Sequence, residues 1–332
     1  LDRVRKISIQ ADTDVWLEYA GEKGIHGAIL SYLSLKKENF YMVENTVDGK
    51  FFVTARGWED LSEILKSYEE LQVEIGEELI GEFLQKEEIA RDFAGYYRLY
   101  EKYKSDYQIQ EILDGNVTTG QLKTCCDMGK KASFEERFTV TEMLLEAVTE
   151  RISVFQKTDE KIEKLYENLK LLKIFLQEKN SVEAMEQFVA SRRKALDAKI
   201  CSELLTAEEA AREEEQIRIL EEYFFQLKEL HISDVAEGIE QIGERFGNVC
   251  RLRNEKLKET KKMLEQAFSF LEECFGEGQE LLLFETGLTG DDRCSIFISQ
   301  YGCPSYFKHC ELLLYSKKEN EMRKECRDLL EE

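Results

Sequence analysis

Few side chains in this sequence are placed for chemistry, and the first is Arg56, in the stretch Phe51 to Leu71, FFVTARGWEDLSEILKSYEEL. Thr54 is a good helix N-cap, and Glu59 and Asp60 bring negative charge to the first turns of the helix it opens. A cation in that first turn faces the positive end of the helix dipole, at a small cost unless an anion compensates. A phosphate is the anion that both a helix N-terminus and a guanidinium fork hold well. Helix physics alone leaves two readings of Arg56, a solvated surface cation or a ligand for such an anion. Cys294, Cys303, His309 and Cys310 are the right residue types for zinc. Their spacing is irregular, and cysteine also serves as a small core residue, so no metal site is expected. With three histidines in the chain, no serine–histidine–acid or cysteine–histidine constellation stands out. Carboxylate pairs three or four residues apart are too common in so acidic a chain to mark a site. There is no GxxxxGK(S/T) run to cradle nucleotide phosphates and no apolar strand ending in paired acids to hold magnesium.

The helix that carries Arg56 is amphipathic. Trp58, Leu61, Leu65, Tyr68 and Leu71 recur three or four apart and form one apolar stripe. Before it, Val4 to Ile9 alternates as a short strand, Asp12 or Thr13 caps a helix with Val15, Trp16, Tyr19 and Ala20, and Gly27 to Leu35 forms a second helix. Asn45 to Lys50 reads as a turn joining two short extended pieces within Tyr41 to Val53. After it, Leu79, Ile80, Phe83 and Leu84 make one helical stripe, and Ile89, Phe93, Tyr96, Tyr97, Tyr100 and Tyr103 another. The five tyrosines from Tyr96 to Tyr107 stand among Glu101, Asp106 and Glu111, which favours helix packing with hydrated hydroxyl ends over a platform for nucleic-acid bases.

Gly115 to Lys131 is rich in glycine and poor in core residues, and reads as a linker or joint. Two long patterns follow. In Phe134–Lys179 the seam runs through Val148, Ile152, Phe155, Asp159, Ile162, Tyr166 and Leu169; in Ser233–Phe275 it runs from Val235 and Ile239 through Arg253 to Leu264. A helix over the second pattern spans about 60 Å and needs an equally long partner, so the two are expected to pair antiparallel as a coiled-coil stalk. Shorter helices lie between them, from about Ser181 to Leu205 and from the capping box Thr206–Glu209 to Leu230. Gly276 and Gly278 end the stalk, and short apolar clusters with Pro304 among them form a small helical domain. The expected fold class is mainly α, divided at 1–114, 115–132 (linker), 133–275 (stalk) and 276–332.

The chain has 332 residues, one proline and a formal charge of −22. So little proline fits long helices with short connections. Such acidity gives no sequence-independent attraction for nucleic acid or an anionic membrane, and no apolar run is long enough to span a bilayer. The nine cysteines are odd in number and irregular, which suits reduced thiols in a cytoplasmic protein. The sequence begins without methionine inside the first apparent strand and reads as a piece of a longer protein.

Thr54-Ala55-Arg56-Gly57-Trp58-Glu59-Asp60-Leu61-Ser62 resembles the sensor 2 helix in the lid of AAA+ ATPases, specifically the MoxR-like branch. Leu1-Asp2-Arg3 resembles the run that follows the sensor 1 strand of that branch, and Trp16 through Phe40 its first lid helices. The resemblance covers about the first third of the chain and none of the motifs after Gly115. It implies that residues 1–114 are a helical lid and that Arg56 reaches the γ-phosphate of ATP. Arg3 is implied more weakly, near a neighbouring subunit's nucleotide. ATP and magnesium would be bound by the intact parent, with none expected in this chain alone. Ring neighbours, expected as a hexamer, and a protein partner or substrate on the stalk are the implied partners. The implied work is ATP-driven remodelling or metal-cofactor insertion; the alternative is a helical coiled-coil scaffold with no nucleotide role.

Overall fold

Local chemistry opens and closes most of the elements. The computed structural model describes residues 11–46, 49–176, 181–232 and 234–310. Among these the chain is mainly α, with thirteen α-helices and one two-stranded sheet. The expected strand Val4–Ile9 and the apolar cluster after Cys310 lie outside the described residues. Asp12 caps α1 (Thr13–Lys23) by accepting the Asp14 and Val15 amides at 3.0 and 3.3 Å, and Gly24, at φ +67°, ends it. α2 (Gly27–Leu35) leads through a 3-10 turn to a hairpin of β1 (Met42–Thr46) and β2 (Gly49–Val53), in which Val43 pairs with Phe52.

α3 (Ala55–Glu70) follows at once, then α4 (Glu77–Phe83), α5 (Glu87–Tyr107) and α6 (Ile109–Asp114). The expected α3 stripe holds at Trp58, Leu61 and Leu65, all buried. Leu71 departs from it and is exposed, because the helix stops at Glu70 and Gln72 turns the chain away with φ +56°. Residues 115–132, read as a linker or joint, contain α7 (Thr119–Gly129), opened by a capping box of Thr118 and Gln121. α8 (Phe134–Leu176) and α11 (Val235–Phe275) are the two long helices, with α9 (Ser181–Cys201) and α10 (Ala207–Glu229) between them. α12 (Gln279–Gly290) and α13 (Asp292–Tyr301) complete the set.

Contacts group the chain into two compact units. The first takes residues up to Thr149, then Met263–Asp291 and Cys303 onward; the second takes Glu150–Lys262 and Asp292–Gly302. The chain therefore passes between units at 149/150, 262/263, 291/292 and 302/303.

In the first unit Trp58 is the centre of the aromatic packing. It is fully buried, its Nε1–H donates to the Phe40 carbonyl at 3.1 Å, and Phe93 meets it edge-on at 5.3 Å. Tyr32 lies beside both rings. Farther along, Phe268 packs edge-on against Phe284, and Tyr107 against Phe270. Cys126 of α7 and Cys274 of α11 are joined as a disulfide. This corrects the expectation of uniformly reduced thiols: the partners are 148 residues apart, and sequence spacing carries no signal for such a pair.

In the second unit one core gathers Leu165 and Leu172 of α8, Phe188 and Leu196 of α9, Leu220 and Tyr223 of α10, and Ile242 of α11. Tyr166 stacks on Phe246 and Asp159 pairs with Arg253, so the two long helices run antiparallel there. Tyr166, expected in the seam, is half exposed, and Leu165 takes the core position instead. Tyr166 still meets α11 by stacking on Phe246, while Leu165 is buried in the core that α9 and α10 residues share. Asp159 interrupts the apolar seam for a reason visible here. Both its oxygens accept from Arg253 (Nε at 2.7 Å, Nη2 at 2.8 Å), and Tyr301 of α13 donates to Oδ2 at 2.9 Å. Arg253 also lies over the Phe155 and Tyr301 rings.

Candidate functional site

Arg56 owes its position to three local features. Thr54 Oγ1 accepts the Gly57 amide at 3.3 Å, which fixes the first turn of α3. Gly57 lets the backbone of α4 come close: a Cβ there would stand 2.8 Å from the Phe83 carbonyl oxygen. Behind both, Trp58 anchors the turn in the aromatic core. Arg56 points the other way. Its side chain is 89% exposed, and its Nε lies 3.7 Å from Asp60 one turn on, a solvated pair that contributes little. The guanidinium is thus presented on a fixed turn and held only loosely. Arg3 lies outside the described residues.

Behind α3 the unit holds a buried polar network that sequence reading passed over. His26 caps α2, its Nδ1 accepting the Ala28 amide at 3.1 Å, which leaves Nε2–H to donate to Glu69 of α3 at 2.8 Å. Tyr97 of α5 donates to the same Glu69 oxygen at 2.8 Å, and Lys104 reaches the other at 3.4 Å. Burial pushes the Glu69 carboxyl up, but the hydrogen bonds from His26 and Tyr97 and the charge of Lys104 outweigh it and bring it down to about 2. A carboxylate depressed in the folded state stabilises fully above its unfolded range, and that contribution is lost as pH falls through the folded value. Stability should therefore decline as pH drops from the ordinary carboxylate range toward about 2. Urea denaturation across that window should show the slope reduced in Glu69→Gln.

On α8, Glu142 and Glu146 stand one turn apart and face the tyrosines of α5. Tyr100 donates to Glu146 Oε2 at 3.0 Å, and Tyr96 lies between Ser31 and Thr139 at 2.8 and 3.0 Å. Gly27 makes room for the Glu146 carboxylate, which occupies the space a Cβ would take. Burial and the charge of Glu146 push Glu142 up to about 7. This pair holds a proton near neutrality, and its spacing gave no sign of that because only the partners across the interface distinguish it. The tyrosine hydroxyls, expected to end in water, donate to carboxylates instead: Tyr97 to Glu69, Tyr100 to Glu146 and Tyr107 to Glu136.

The residues of zinc-binding type take separate partners. Cys303 Sγ lies 3.2 Å from Glu265, His309 pairs with Glu272 and stacks on Phe268, and Cys294 is buried on α13. Among the described residues no group of three or more metal-ligating side chains is assembled, and no helix is long and apolar enough to cross a membrane. Compared with protein-family models, curated proteins and solved structures, the chain matches none.

Proposed function

We propose that the chain is the lid and following helical part of a MoxR-like AAA+ ATPase, with Arg56 as the sensor arginine of the lid. The observation that supports this reading is the presentation of Arg56. A cation on the exposed first turn of a well-anchored helix, loosely paired, is what a γ-phosphate ligand requires. In this reading residues 1–114 are the lid, 133–275 a coiled-coil stalk and 276–332 a helical tail. ATP and magnesium are held by a nucleotide-binding core outside this chain, ring neighbours complete the site, and a cytoplasmic protein partner is remodelled or loaded with a metal cofactor. The Arg56 guanidinium draws charge from the γ-phosphate as it develops in hydrolysis, a stabilisation worth about 10²–10³ in kcat for one such donor.

The test joins the chain to the polypeptide encoded upstream of Leu1. Arg56→Ala should lower ATP hydrolysis by about 10²–10³-fold there. In the 332-residue chain alone the same change should leave the urea midpoint nearly unmoved, since its pair with Asp60 is exposed. Unchanged hydrolysis, or an upstream frame without GxxxxGK(S/T), removes the proposal. The second reading, a helical scaffold with no nucleotide role, is favoured by the exposed Val154, Leu171 and Ile174 of α8, apolar side chains of the kind that partner proteins cover.

A further inference from the structure

We propose that α7 is a redox-released latch, held to the first unit by the Cys126–Cys274 disulfide and freed when a dithiol reductant opens that bond. The noncovalent hold on this helix is thin. Of its eleven residues only Cys125, Cys126 and Gly129 are buried. Cys125 offers its thiol to the Asp106 and Tyr107 carbonyls at 3.9 and 3.8 Å, and Gln121 bonds Gln108 at 3.2 Å. Gly129 contributes a close backbone approach: a Cβ there would stand 2.8 Å from Phe275 Cε1. The covalent bond is therefore the principal tether between α7 and the end of α11.

The remaining thiols bear on whether that bond is permanent. Among the described residues Cys125, Cys201, Cys250, Cys303 and Cys310 lie outside any disulfide. On the cytoplasmic placement proposed above, a disulfide that forms is of the transient, redox-sensing kind, since that compartment keeps thiols reduced. In the step itself, a thiolate of the reductant attacks one sulfur of the bridge as the sulfur–sulfur bond breaks. The second thiol of the reductant then displaces the first protein sulfur from the mixed disulfide. Two electrons and two protons pass to Cys126 and Cys274, and the reductant leaves as a cyclic disulfide. Both sulfurs are buried, so attack waits for α7 to lift, and lifting uncovers Cys274 and Phe275.

Thiol titration of the denatured chain, with and without prior treatment by dithiothreitol, should find two more thiols after reduction. Hydrogen exchange under conditions where both forms stay folded should then separate α7 from the body of the unit. On reduction, the ratio of exchange rates in residues 119–129 to those in α5 should rise at least about tenfold, because a helix that loses its tether opens locally. Cys126→Ser should show the raised ratio without reductant, and Cys125→Ser should keep the low ratio until reductant is added. If Cys126→Ser fails to fold, the wild-type chain under dithiothreitol still gives the readout. An unchanged thiol count would show that the bond does not form. An unchanged exchange ratio in the reduced form and in Cys126→Ser would show that α7 stays docked without the bond. Either result overturns the latch.

Discussion

Trp58→Ala should destabilise the first unit by about 3–5 kcal/mol, among the largest effects available from one side chain in this chain. The indole is fully buried and leaves a cavity between Phe93 and Tyr32, rings that belong to different helices and cannot both collapse into it. The Phe40 carbonyl would also lose its donor, adding the cost of an unsatisfied buried acceptor. A urea midpoint read by a probe in the first unit should move accordingly. Trp58→Phe should recover most of the packing but not the hydrogen bond. A loss below about 1 kcal/mol would mean that the aromatic cluster repacks freely.

Asp159→Ala should cost the second unit about 2–3 kcal/mol, below the range for a fully buried pair because both partners keep some contact with water. The loss comes mostly from what remains: a half-buried Arg253 with its two best acceptor contacts gone and a Tyr301 hydroxyl without its acceptor. The double variant Asp159→Leu with Arg253→Met should regain most of that stability, because apolar replacement of both charges removes the desolvation cost along with the attraction. Urea denaturation of the four forms of this double-mutant cycle checks both statements. Additive effects in the cycle would show that the two charges do not act as a pair.

What the sequence made legible was local. Thr54 and Thr206 announce their helices because an N-cap is satisfied within three residues, and each accepts the expected amide. The hairpin within Tyr41–Val53 and the antiparallel run of the long helices follow from equally short-range patterns. Tyr166 shows where periodicity stops serving: the repeat tracks the face toward α11, and says nothing of the core with α9 and α10 in which Leu165 is buried. Arg56 was legible as an exposed first-turn cation because that depends on its own helix. Glu146 and the His26–Glu69 pair were not, since their character is set by partners 28 to 46 residues away in sequence. Cys126 and Cys274 were farther out of reach still.

The four passages of the chain between its contact units carry a practical consequence. Neither unit corresponds to one uninterrupted run of codons, so no single truncation excises either of them whole. Expressing residues 150–262 by themselves would omit α13, whose Tyr301 completes the Asp159–Arg253 cluster, and expressing 1–149 would omit Cys274 and the aromatic residues of α11 and α12. A protease cut in the connection between α9 and α10, near the exposed Leu204, should likewise leave two pieces that elute together, because the second unit draws its core from both sides of the cut.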